Sequence, residues 1–306
     1  MSLPLPTVIS NTPPSIKPSA TPAPRPSPAR VLSTGVQTER SPKLVVRRPT
    51  DDSPKQFNGL VYGDATTGKS SIAAMLADMG FKVFMVFTDL GRDAGISGAA
   101  AYAKKFSTKE SFNQNVSWTA IDDLESFESF CEAPEKLIPD FWTAINPDFI
   151  ILDGFSFLQQ CQIMPEIEGM EDERSKDLTI EYGFDNFRGW GKIRNSTIRH
   201  LQDFLLITSP TGKPIHKILT AGLKVGSKQV GGTAEVVDLP EPDISGGAKK
   251  MIKYAFDLCW QTKKDKEGKY WYDFTGNYGK RRIETCDVLP ANFAKIWELQ
   301  QELWQG

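Results

Sequence analysis

Apolar residues fall in two rhythms along most of this chain: short unbroken runs and longer stretches at helical spacing. "FNGLVY" (57–62), "FKVFMVF" (81–87), "VSWTAI" (116–121) and "DFIILDGF" (148–155) read as strands. "HKILTAGL" (216–223) is a further strand. Between them, "SSIAAMLADM" (70–79) spaces its apolar residues as a helix that Gly80 ends. "DDLESFESFCEA" (122–133) reads as an acidic-faced helix and "FRGWGKIRNSTIRHLQDFLLI" (187–207) as a long amphipathic one. After a loop containing Gly and Lys, "GGAKKMIKYAF" (246–256) is helical. "DLCWQTKK", "KYWYDFTG" and "KRRIETC" then read as strands, the first two joined by a turn at "DKEGK", and "ANFAKIWELQQEL" (291–303) closes as a helix. Strands alternating with helices predict an α/β fold: a mostly parallel central sheet flanked by helices, with antiparallel strands added near the C-terminal end.

Composition separates the two ends. Residues 1–54 hold twelve of the 21 prolines, with many Ser and Thr and few bulky apolar residues. Such a segment cannot sustain helices, ladders or a core, so it reads as a disordered tail ahead of one domain at 55–306. Residues 1–50 carry seven Lys/Arg and one Glu, a net of +6; a chain net of −2 leaves −8 on the remainder. A uniformly basic nucleic-acid binder is thereby excluded. The tail is a plain linker or a basic arm for nucleic acid or a partner protein. No apolar run reaches the roughly 18 residues of a membrane span, and no signal-peptide core is visible, so a cytoplasmic protein is expected. Four scattered cysteines without a C-x-x-C pair, and two histidines, speak against a zinc site.

The chemistry is concentrated between the first strand and the first helix. "GDATTGKS" matches the phosphate loop G-x-x-x-x-G-K-S in its proper strand–turn–helix setting. Gly63, Asp64, Ala65, Thr66, Thr67, Gly68, Lys69, Ser70 and Ser71 are the candidate nucleotide-binding residues. Glycines let successive N–H groups curl around an anion, and the helix adds the positive end of its dipole. Lys69 reaches the β- and γ-phosphates and the Ser70 hydroxyl ligates Mg²⁺, so ATP and Mg²⁺ are the expected cofactors. Asp153, ending "FIIL", is the carboxylate that holds the metal through water; its alternative is a turn cap before Gly154. Asp89 or Asp93, after the second strand, could orient the attacking water or serve only the turn "TDLGRDAG".

On these motifs the chain resembles the RecA-like P-loop ATPases, in particular the small phage RecA-core proteins of single-strand annealing and recombination. The likeness runs from Gln56 to about Pro290. It is sharpened by "FRGWGKIRNSTIRHLQDFL", "PDISGGAKKMIKYAFDLCWQ" and "YGKRRIETCDVLP". It implies that Lys280, Arg281 and Arg282 contact the ATP of a neighbouring copy, with self-association through an ATP-bridged interface; the alternative is a solvated basic edge. It places the second DNA loop at "KVGSKQVGGTAEVVDLPEPDIS", making Lys224, Lys228, Lys249, Lys250 and Lys253 candidate phosphate contacts for single-stranded DNA, against a plain surface loop. The stretch 159–186 matches the first DNA loop by position, but is strongly acidic. Two positions depart from the family. No glutamate follows the second strand in "FTDLGRD", and Gly222 or Leu223 stands where His or Gln is usual. The resemblance therefore implies an ATP hydrolase acting with single-stranded DNA in annealing, recombination or replication, in the host cytoplasm if viral, with turnover and nucleotide sensing in question. A low-turnover nucleotide-binding scaffold is the alternative, and a small-molecule kinase the third.

Overall fold

The unbroken apolar runs become the central strands of one sheet in the computed structural model. It describes residues 55–89, 92–105, 108–167, 186–230, 233–244, 254–275 and 288–305, with Gly169, Ala248 and Lys249. In chain order the elements begin with β1 (Asn58–Tyr62), α1 (Ile72–Asp78) and β2 (Val83–Phe87). Then come α2 (Arg92–Lys105), α3 (Lys109–Asn115), β3 (Val116–Ala120), α4 (Leu124–Glu132) and β4 (Phe149–Asp153). After short helical turns at Phe155–Phe157 and Leu158–Ile163 come α5 (Asn186–Leu206), β5 (His216–Ala221), β6 (Leu223–Val230) and β7 (Thr233–Pro242). The chain ends with β8 (Leu258–Lys264), β9 (Tyr270–Asp273), β10 (Val288–Pro290) and α6 (Phe293–Gln305).

The main sheet has eight strands in the order β10-β9-β8-β1-β5-β4-β2-β3. From β8 to β3 all pairings are parallel; β9 runs against β8 and β10 against β9. The fold is α/β, and its antiparallel additions lie at the C-terminal edge. Alternation along each strand sorts side chains to two faces. Leu60, Tyr62, Ile150 and Leu152 join Phe127, Phe130, Leu201 and Phe204 of α4 and α5. Val61, Met85, Phe149 and Ile151 join Ile72 and Leu76 of α1 and Phe293, Ile296 and Trp297 of α6 on the other. Central strands buried on both faces need continuous apolar sequence, which is why these runs are unbroken. At the end of α1 the N–H groups of Gly80 and Phe81 return to the carbonyls of Ala77 and Leu76, the bond pair that closes a helix at glycine.

The structure departs from the sequence reading in two places. Helices α2 and α3 had no counterpart in the apolar pattern. The expected glycine loop after β5 is instead a two-stranded ribbon, β6 against β7. Its backbone register sets position 228 opposite position 235, and the sequence of β7, with Thr and two Val, suits extended backbone. The strand expected at "KRRIETC" lies outside the described residues, and β10 follows it. Among the described residues no helix is long and apolar enough to cross a membrane.

One core position works against stability. Gln300 of α6 is fully buried, and among the described residues neither its amide nitrogen nor its oxygen meets a hydrogen-bonding group. An unsatisfied buried polar group costs about 1–3 kcal/mol. Gln300→Met, similar in length and flexible enough to fill the space, is expected to raise stability by that order. Urea unfolding of both proteins checks this, and a lower midpoint for the methionine variant would show that the amide has a partner.

Candidate functional site

The C-terminal ends of the parallel strands open onto a cleft of about 780 Å³, within the roughly 300–1,000 Å³ of small-molecule sites. Its floor is the loop between β1 and α1. Gly63 leads into that loop, its N–H bound to Ala221 O at 3.3 Å. A side chain cannot stand there, because a Cβ on Gly63 would lie 2.5 Å from Thr262 Oγ1 and 2.7 Å from Thr262 O. Gly68 holds φ at +90°, open to glycine at little strain, and packs on the ring of Tyr270. Between them Thr66 is also left-handed, at φ 64°. Thr67 ties the loop down, donating to Asp64 O at 2.7 Å and pairing with the Thr262 hydroxyl at 2.7 Å.

This geometry leaves the donors for a ligand. No side chain caps the start of α1, its first turn carries no acid, and the N–H groups of Gly68, Lys69 and Ser70 have no backbone acceptor among the described residues. The Lys69 ammonium folds onto the loop, 2.8 Å from Gly63 O and 2.7 Å from Asp64 O. Burial lowers its pKa, against the opposing pull of Asp153, Asp64 and Asp89. A polyphosphate would supply the counter-charge that these carbonyls only partly replace.

Asp153 closes β4 directly behind the loop. It is 6% exposed, and Ser70 Oγ donates to its Oδ2 at 2.6 Å. Its Oδ1 accepts from the Thr220 hydroxyl of β5. Thr88, after β2, donates to the Asp153 and Gly154 carbonyls at 3.2 and 3.0 Å. Among the described residues no cluster of three or more His, Cys, Asp or Glu could hold a metal. The donor set nevertheless fits Mg²⁺ carried by a nucleotide, which takes one or two protein oxygens and completes its shell with phosphate and water. Ser70 and Asp153 would hold it.

The structure brings Gly63, Asp64, Ala65, Thr66, Gly68, Lys69, Ser70, Ser71 and Asp153 together around the cleft, while Thr67 does not line it and ties the loop to Thr262. Asp89 joins them on the cleft wall, and Asp93 does not line it. Of the candidate DNA-binding lysines, Lys249 Nζ lies 2.5 Å from the Glu241 carboxylate of the ribbon, and the half-exposed Lys224 Nζ lies 4.0 Å from it. Lys250, Lys253, Lys280, Arg281 and Arg282 lie outside the described residues, as do the side chain of Lys228 and most of the stretch 159–186. Sequence reasoning missed Gly95, Gly98, Ala101 and Tyr102 of α2 and Tyr270 of β9, which also line the cleft. It also missed Thr88 and Thr220, whose one signal is a hydroxyl at the C-terminal end of an apolar parallel strand. Compared with models of known protein families and with curated proteins, the chain matches none.

Proposed function

We propose that this chain is a magnesium-dependent, RecA-like ATPase that works on single-stranded DNA in annealing, recombination or replication. The carrying observation is the convergence of Lys69, Ser70 and Asp153 on one cleft at the carboxyl ends of parallel strands, where open α/β sheets bind ligands. The donors around Gly68 and the α1 N-terminus take the β- and γ-phosphates, and Lys69 moves from the loop carbonyls to the phosphate oxygens. Bound Mg²⁺ supplies charge neutralisation to the phosphoryl group. Asp89 is the carboxylate assigned to orient water; it lies on the cleft wall and its charge acts on Lys69. The RecA-like reading is supported by the position of β5 between the loop strand and the Asp153 strand, and by the antiparallel β9 at the C-terminal edge. The DNA assignment rests on the resemblance and on a ribbon rooted at Gly222 and Leu223, which line the cleft. Contacts by Lys280, Arg281 and Arg282 to a neighbouring copy's ATP belong to the same reading.

A second reading, a nucleotide-held scaffold with little turnover, is favoured by one observation. Lys224 and Lys249 already face Glu241, which leaves less free positive charge for phosphates. Calorimetry with Mg-ATP and hydrolysis assays with and without single-stranded DNA test both. Hydrolysis stimulated by DNA is expected. Tight uptake without turnover transfers the assignment to the scaffold, and no magnesium-dependent uptake of ATP or ADP rejects both readings.

A further inference from the structure

The Asp153 carboxylate is tied from two sides, by Ser70 of the loop and by Thr220 of β5, and the second tie belongs to no phosphate-site motif. Thr220, 1% exposed, sits next to the last residue of β5, the strand between the loop strand and the Asp153 strand. Its Oγ1 accepts the Gly154 N–H at 3.1 Å and donates to Asp153 Oδ1. A hydroxyl has one proton. The Gly154 N–H approaches a lone pair, so that proton is left for Asp153 and the direction of the bond is fixed. The other oxygen, Oδ2, is engaged by Ser70 at 2.6 Å. Each carboxylate oxygen therefore has its own hydroxyl, and the plane of the group is defined before any ligand arrives.

We propose that Thr220 is the positioning residue that sets the affinity of this site for its divalent cation. The inference rests on the nucleotide reading above and adds to it a residue outside both motifs. A carboxylate free to turn can swing towards a cation, and the Lys69 ammonium lines the same cleft with a charge that couples to Asp153. The pair so formed would withdraw Asp153 from the metal and Lys69 from the phosphates. Thr220 prevents this by holding Oδ1 back on the β5 side, leaving Oδ2 aligned with Ser70. Where the resemblance implies His or Gln at the end of this strand, the chain carries Gly222 or Leu223, neither with a polar side chain. The polar group at this strand end is instead Thr220, which donates to the carboxylate. Partners behind a metal-holding group typically change metal affinity about 10–100-fold when removed.

The test measures metal binding and needs no turnover. Mn²⁺ is titrated into the full chain saturated with ADP, and the loss of the free-ion paramagnetic resonance signal gives its dissociation constant. ADP affinity is measured separately in EDTA. Thr220→Val is expected to weaken Mn²⁺ binding by about 10-fold or more, with ADP affinity in EDTA unchanged. Thr220→Ser, which keeps the hydroxyl, is expected to restore wild-type metal affinity. Equal Mn²⁺ affinity in the valine variant overturns the proposal. So does a parallel loss of ADP affinity in EDTA, or failure of serine to rescue, since either describes a packing role. Should the valine variant not fold, Thr220→Ala reads the same loss; failure of both to fold also overturns it, because Thr220 would then serve the fold. A wild-type chain that takes up no nucleotide rejects the nucleotide reading instead, an outcome visible before any variant is made.

Discussion

Lys69→Ala is expected to weaken uptake of Mg-ATP by about thirty-fold to four-thousand-fold, the equivalent of the 2–5 kcal/mol lost when one member of a buried charged pair is truncated. Two features of the site set that size. The ammonium is partly desolvated already, as its lowered pKa records, so the free chain bears a penalty that bound phosphate would offset. Its partners without a ligand are the carbonyls of Gly63 and Asp64, weaker counter-groups than phosphate oxygens. Among the described residues Lys69 and Lys105 line the cleft, and alanine removes the one that belongs to the loop. The fold itself should be spared, because Lys69 joins no hydrophobic cluster, and thermal unfolding of the variant is expected to match the wild type. Calorimetry decides the matter. An alanine variant that binds Mg-ATP as tightly as the parent would mean that polyphosphate, if it binds, does so elsewhere.

What could be seen in the sequence, and what could not, follows the range of the interactions involved. The loop from Gly63 to Ser71 is local: a strand end, two glycines and a helix start within nine residues, so its spacing alone carries its geometry. Asp153 was visible for a related reason, since an acid ending four buried apolar residues has few roles. The hold on that acid was not visible. Thr220 stands 67 positions away and looks like any hydroxyl in a strand until β5 is known to lie beside β4. Helix α2 was silent for another reason. "RDAGISGAAAYAKK" meets the cleft through Gly95, Gly98, Ala101, Tyr102 and Lys105, and the first three are too small to mark a face against its other alanines, so apolar periodicity is nearly flat. The ribbon β6–β7 was read as a loop because its glycines and mixed charges hide a pairing that only register reveals. Lysines were legible as charge, but that Lys224 and Lys249 share Glu241 depends on where the ribbon folds.

Acidification should destabilise the fold through His216, by up to about 3 kcal/mol between pH 6.5 and about 4. His216 opens β5 against α6, 8% exposed, with its ring 4.7 Å from that of Phe149 and 4.9 Å from that of Trp297. Its Nδ1 accepts the Phe57 N–H at 3.0 Å, a bond that requires the unprotonated nitrogen. Burial first, then the charge of Lys217, lower its pKa from 6.5 to about 4, against an upward pull from Asp148 that outweighs the further lowering by Lys213. Above pH 6.5 the ring is neutral folded or unfolded, and stability does not depend on it. Below that the unfolded chain takes up a proton that the folded chain refuses, so stability falls with pH until about 4, where both are charged. Lys217 acts with the same sign in a higher window: buried and bound to the carbonyls of Ile207 and Ile215, its pKa drops to about 7, so stability rises from there towards pH 10.5. Carboxylates add their own acid dependence, which makes the difference between two proteins the useful measurement. His216→Asn keeps an acceptor near Nδ1 but cannot titrate. Urea unfolding at several values from pH 7 to 4 should show a steeper loss in the parent than in the asparagine variant, even though the variant starts lower for want of the ring. Parallel curves would place the acid sensitivity on other groups and leave His216 as packing alone.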